Sequence, residues 1–359
     1  MAPNDPQPRP PLSPLSLALR VGAIGAVTLL LAGALAYTGG YFSPERLTPD
    51  RVVDVLEKNN GEHPGFRRNH PKGVCVTGYF ESSGAAASLS SAEVFSATRT
   101  PVQGRFSLPT GNPYSPDSAA ALRSMALRFQ QANGQQWRTG MNSMPVFPVG
   151  TPEAFFGLLQ ATAPDPATGK PDPQKAGAFF ASHPETGAFL AWAKTAKPAA
   201  SFVTETYNSV NAFYLTNAAG QRQTVRWSMV ATTPADSVAP QAENYLLADL
   251  QQRLAAGAQR WDLVLTLANP GDPSNDASKA WSGEHRTVTA GTLVIEREQA
   301  QDNGECRDIN YDPLILPSGI EGSDDPLLAA RSAAYAASYK RRTGEVSSLP
   351  ASASQESRP

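Results

Sequence analysis

Apolar and polar positions alternate along several short stretches of the chain, and that period predicts strands. Val74 and Val76, then Tyr79 and Phe80, read as one half-buried strand, and residues 102–108 read as a second. Residues 125–131 and 135–139 flank Ala132-Asn133-Gly134, a hairpin signal, and residues 211–216 and 223–231 flank a second turn at 217–220. Residues 261–267 and 291–297 add two more strands. Antiparallel strands at this spacing favour a closed barrel. Helical stretches interrupt them at 152–160, 174–182, 184–194 and 242–256, and an alanine-rich helix with a basic end is predicted over 324–342. Thr48-Pro49-Asp50 opens a helix that carries Val52, Val53, Val55 and Leu56 and ends near Gly61. The fold class expected is α+β, an antiparallel β-barrel with surrounding helices.

The N-terminus follows a different pattern. Residues 1–20 read as a disordered polar leader, rich in proline. No charge follows from Val21 through Phe42, about the length of a bilayer-spanning helix. Arg9 and Arg20 precede this run, which predicts a cytoplasmic N-terminus and an exported body, periplasmic and held at the inner membrane. Ala34-Leu35-Ala36 fits a signal-peptidase site, so release after cleavage is the competing reading. The organisation expected is thus a leader (1–20), a signal-anchor or signal peptide (21–42), one body (43–345) and a disordered tail (346–359).

Composition narrows the class. With 17% charged residues and a net charge of −2, no basic field suggests nucleic acid as a partner. The two cysteines, Cys75 and Cys306, lack the spacing of a zinc site or a covalent haem attachment. Cys75 reads as a small buried apolar residue, and a single bridge to Cys306 stays open in an oxidising compartment.

Two constellations carry chemistry. His70, one of four histidines, stands just ahead of the first strand, where a rigid element can hold an imidazole facing inward for proton transfer. Arg331 and Tyr335 stand four apart, on one face of the last helix. A phenol must ionise to bind ferric iron, and a neighbouring guanidinium favours the charged form. Taken alone, the histidine could be an ordinary strand-end residue and the arginine–tyrosine pair an exposed helix pair.

Arg67-x-x-His70, followed by Lys72-Gly73 and Gly78-Tyr79-Phe80-Glu81, resembles the distal-histidine segment of haem catalases. Residues 325–335, preceded by Tyr311-Asp312-Pro313 and by 317–321, resemble the proximal segment. Residues 140–147 resemble the segment carrying the distal asparagine, here Asn142, though Met141 and Met144 depart from the usual residues. The resemblance runs from about Thr48 to Gly344. It implies a barrel with a non-covalent b-type haem between barrel and last helix, and the chain stops short of the wrapping and C-terminal helical regions, like catalase-related peroxidases. It implies Tyr335 as iron ligand, supported by Arg331, with His70 and Asn142 catalytic. Phe147 and Phe155 match positions near the distal haem face. Arg105 and Ser107 match positions near a propionate and the distal histidine, and Arg67 is a second propionate candidate; an internal salt bridge is the ordinary alternative for either arginine.

The activity implied is reduction of hydrogen peroxide or organic peroxides by an unidentified electron donor, in defence against oxidative stress. The alternatives are a true catalase disproportionating hydrogen peroxide, a non-catalytic barrel binding haem or an apolar ligand, and an anchored structural domain. Oligomeric state is not legible in the chain.

Overall fold

The computed structural model describes residues 13–39, 41–43, 46–197, 199–234 and 243–348. The chain divides into two units, Met1–Thr48 and Pro49–Pro359. The first unit is built on α1 (Pro14–Thr38), a helix long and apolar enough to cross a membrane. It starts inside the stretch expected to be a disordered leader, and the local reason is plain. The Ser13 side chain caps it by accepting from the Ser16 amide, and Pro14 supplies the fixed φ of a first turn. The rest of the leader and residues 349–359 of the expected tail lie outside the described residues.

The second unit begins with α2 (Pro49–Asn60), started by Pro49 and Asp50 as expected and followed by Gly61 at φ 89. Strands β1 (Gly73–Ser82), β2 (Thr100–Ser107), β3 (Ser124–Gln130) and β4 (Gln136–Asn142) form an antiparallel meander. Helices α3 (Pro152–Ala161), α4 (Pro173–Ser182) and α5 (Gly187–Ala193) follow. The helix expected over 184–194 is split, because Pro184 opens a separate 3-10 turn, Pro184–Thr186, before α5.

The chain returns to the sheet as β5 (Tyr207–Asn208), β6 (Phe213–Thr216) and β7 (Arg222–Ala231), then crosses α6 (Leu246–Ala256) to β8 (Gln259–Leu267) and β9 (Thr287–Ala300). The start expected for α6, residue 242, lies outside the described residues. Pairing of β7 with β8 closes an eight-stranded barrel in the order β7-β5-β4-β3-β2-β1-β9-β8, while β6 and β10 (Ile320–Gly322) extend outside the ring. The last helix is α7 (Pro326–Ser348).

Alternation along the strands sorts side chains to the two barrel faces. Val74, Val76, Phe106, Leu127, Phe129, Trp137 and Trp227 fill the lumen. Phe129 stacks on Trp137 with ring centroids 4.6 Å apart, and Trp137 meets Trp227 edge-on at 5.0 Å. The lumen is therefore packed, and any ligand site must lie on the outer wall.

On that wall sit Cys75, Cys306, Ile309 and Tyr311, a small apolar cluster apart from the lumen. Cys75 and Cys306 form a disulfide with Cα atoms 5.4 Å apart. The reading of Cys75 as a merely buried thiol is corrected: the sequence separation of 231 residues hides a contact that barrel closure creates.

Candidate active site

The outer faces of β2, β3 and β4 present Arg105, Ser107, Ser124, Ala126, Gly140 and Asn142, each pair two residues apart as the pleat requires. Helix α7 faces this wall with positions 327, 330, 331, 334, 335, 338, 339 and 342, the i, i+3, i+4 stripe of one helix face. Between them lies a cavity of about 300 Å³, roofed by Val52, Val53 and Leu56 of α2. Small residues keep it open. A methyl on Gly140 would come within 3.3 Å of the Arg331 guanidinium and 3.6 Å of the Tyr335 hydroxyl.

His70 lines one side of this cavity from a turn just ahead of β1, the position expected. Its φ of 58 lies in the left-handed region, which histidine and asparagine tolerate better than most residues. The turn is pinned by the His70 amide, which donates to the Thr110 carbonyl at 2.9 Å and to Asn69 Oδ1 at 3.0 Å. The imidazole Nδ1 is buried with no hydrogen-bond partner among the described residues. Burial, reinforced by the charges of Arg105, Arg331 and Arg67, holds its pKa down to about 3, so the ring is neutral at physiological pH.

Asn142 also lines the cavity, at the end of β4. Its Oδ1 accepts from Ser124 Oγ at 2.6 Å, which fixes the amide and leaves its NH2 group as a donor. Phe147 and Phe155 form part of the wall with ring centroids 5.5 Å apart, and Ser107 is a buried residue of the same lining.

Tyr335 and Arg331 face the same cavity from α7. The guanidinium lies 5.9 Å from the Tyr335 ring centroid. It donates to the Gly140 carbonyl at 2.9 Å and to Asn211 Oδ1, and Asn211 in turn donates to Asp325 Oδ2 at 2.8 Å. Asn211 is delivered by a tight turn in which its amide donates to the Ser209 carbonyl at 2.7 Å, forcing Val210 to φ 56. A β-branched residue rarely adopts that conformation, so backbone strain is spent on this placement.

Among the described residues five arginines line the cavity (67, 68, 105, 331 and 342), and no aspartate or glutamate does. Arg68 is neutralised by Glu57 and Glu345, and Arg342 lies 3.6 Å from Asp308. Arg67 and Arg105 make no ion pair among the described residues, so the internal salt bridge considered for them is absent. Arg67 donates to the carbonyls of Cys306, Arg307 and Ile309 at 2.9–3.1 Å. Arg105 donates to Gln301 Oε1 at 2.6 Å and to the Pro71 carbonyl at 2.9 Å. Burial lowers the pKa of both guanidiniums, and the charge of Arg67 pushes that of Arg105 further down. The cavity is therefore apolar on its walls and cationic at one end, a shape for a largely apolar anion.

All nine residues expected at the site line this one cavity. Three contributors were missed. Asn211 carried no motif, and Tyr311, whose hydroxyl is buried without a partner, was only a landmark. Arg342 could have been found, since it falls on the helix stripe seven residues beyond Tyr335.

Comparison with known proteins shows the family and the fold. The family model for catalase matches residues 39–357. The chain belongs to the catalase family. It is 37% identical over 327 residues to a catalase-related peroxidase of Synechococcus elongatus, covering 89% of this chain and 96% of that one. A catalase-related peroxidase of Mycolicibacterium paratuberculosis is 32% identical over 309 residues, covering 83% and 96%. Catalase A from Saccharomyces cerevisiae superposes with a TM-score of 0.70 at 20% identity over 78% of this chain, which spans only 62% of that longer protein. The fold is that of the catalases, and the family's chemistry is processing of peroxide.

Proposed function

We propose that the protein is a haem-dependent peroxidase that reduces hydrogen peroxide and organic peroxides at the expense of a donor. The observation that carries this reading is the joint placement of His70 and Tyr335 on one carboxylate-free, arginine-rimmed cavity. The residues fit the group. An unpartnered imidazole nitrogen, small residues beside the Tyr335 hydroxyl, and unpaired buried arginines suit a flat apolar dianion with a metal at its centre. Tyr335 would ligate the iron as phenolate, Arg331 would balance that charge, and Arg67 and Arg105 would meet the propionates. Bound haem supplies the redox chemistry that cleaves the oxygen–oxygen bond.

The chain's own residues supply the rest. A neutral His70 can take a proton from one peroxide oxygen and return it to the departing one, as base and then acid. Asn142, its amide locked by Ser124, donates a hydrogen bond where negative charge develops. Phe147 and Phe155 keep that side of the cavity apolar and dry. The names of the two relatives matched over 96% of their own length, both catalase-related peroxidases, support donor oxidation over disproportionation. We infer also that α1 holds the body at a membrane from outside the cytoplasm, supported by its length and its uncharged run.

The test is to compare oxygen release with donor oxidation in the haem-loaded protein, using hydrogen peroxide and cumene hydroperoxide. Donor oxidation with both peroxides, faster than oxygen release, is expected. Fast oxygen release with negligible donor oxidation would make the protein a true catalase, and binding of haem without turnover would make it a ligand-binding barrel.

A further inference from the structure

We propose that the Cys75–Cys306 disulfide is a positioning element for the cationic end of the cavity, holding Arg67 in the orientation that meets a carboxylate of the bound ligand. This rests on the haem reading above.

Strand β9 ends at Ala300, and the chain then turns through residues 301–308 before Tyr311 enters the cavity wall. The backbone hydrogen bonds of this turn are internal: Gly304 donates to Gln301, Arg307 to Gly304 and Ile309 to Cys306. The start of the turn is tied to the barrel by the Gln301 side chain, which accepts from Arg105 and donates to the Pro71 carbonyl, but no backbone bond in that set ties its far half, 304–309. The disulfide does, joining Cys306 to the middle of the wall at Cys75. Gly304 permits the approach, since a methyl there would run into the Cys75 sulfur.

What the bridge holds is specific. The three carbonyls that accept from Arg67 belong to Cys306, Arg307 and Ile309, the bridged residue and its near neighbours. Arg342 donates to the Arg307 carbonyl at 2.5 Å. On the other side of the bridge, Cys75 pairs across the sheet with Arg105. One covalent link thus lies beneath three cavity arginines. A guanidinium is planar with its donors in a fixed fork, so a tilted set of carbonyls would turn the whole group. Without the bridge the half of the turn that carries Cys306, Arg307 and Ile309 loses its covalent tie to β1, and the buried guanidinium follows its acceptors.

The alternative is a bridge that only stabilises the fold, and the two differ in what they do to ligand choice. Affinity is measured by optical titration of the full-length chain with haem and with haem dimethyl ester, in which both propionates are masked. Wild type is expected to prefer the diacid. In the Cys75→Ala/Cys306→Ala variant that preference should fall about tenfold or more, the scale of a charge-assisted hydrogen bond. Arg67→Lys with the bridge intact should fall similarly and lose little more in the bridge-free chain. Gly304→Ala, which crowds the sulfur with a single methyl, should move the ratio the same way and covers the case in which the double variant does not fold. Equal weakening of both ligands, or an unchanged ratio in Arg67→Lys or Gly304→Ala, would overturn the proposal. Failure of the wild-type chain to bind either ligand would overturn the haem reading itself, and this inference with it.

Discussion

Replacing His70 by asparagine removes one titrating group while keeping a residue that accepts the left-handed backbone. In the folded ligand-free chain the imidazole has a pKa of about 3, against 6.5 in an ordinary setting. Between those values the unfolded chain binds a proton at His70 that the folded chain refuses. Stability is therefore lost as pH falls through that window, at about 1.4 kcal/mol per pH unit. From about pH 7 down to about pH 4.5 the loss traceable to His70 is about 2.5 kcal/mol. Among the described residues no carboxylate lines the cavity to rescue the imidazolium, and the charges of Arg105, Arg331 and Arg67 oppose it. The assay is urea unfolding of ligand-free wild type and His70→Asn at both pH values. Other carboxylates and the remaining histidines contribute to both proteins and cancel in the difference. Wild type should lose about 2.5 kcal/mol more than the variant over this interval. Equal losses, within about 0.5 kcal/mol, would show that the imidazole is not held neutral by its surroundings.

Three further outcomes follow from the same geometry. Asn142→Leu removes the donor aimed at developing charge and should lower turnover about a hundredfold with little change in haem content, checked by steady-state rates against the haem absorbance. Ser124→Ala leaves Asn142 present but unlocked, and a loss of about five- to tenfold in turnover is expected, the scale of one neutral hydrogen bond. Cys75→Ala/Cys306→Ala opens a loop of 231 residues in the unfolded chain's favour, and denaturant unfolding should register a loss of up to about 5 kcal/mol.

The barrel was legible because its long strands bury one face and so alternate clearly, as in β4 with its strict interior and exterior positions. Strands β5 and β10, of two and three residues, are too short for any period to show. His70, Asn142, Arg331 and Tyr335 were legible through resemblance, since neither a lone histidine nor an arginine four before a tyrosine identifies a site. The local conformations were not. Nothing in the residue order announces that Val210 takes a positive φ to deliver Asn211, because tertiary packing overrides its preference for extended backbone. The disulfide was hidden for another reason. Its halves meet only after β9 has closed against β1, so their pairing belongs to the topology and carries no local pattern.

In the haem reading proposed above, a Tyr335 phenolate from α7 would hold the iron in a cavity that a neutral His70 imidazole also lines. An absorption spectrum of the haem-loaded full-length chain, taken beside those of Tyr335→Phe and His70→Asn, tests it directly. Wild type should show a ferric, tyrosinate-ligated haem, Tyr335→Phe should lose that signature or the haem itself, and His70→Asn should keep the signature while losing reactivity with peroxide. A spectrum indifferent to Tyr335→Phe, or peroxide reactivity undiminished in His70→Asn, would contradict it.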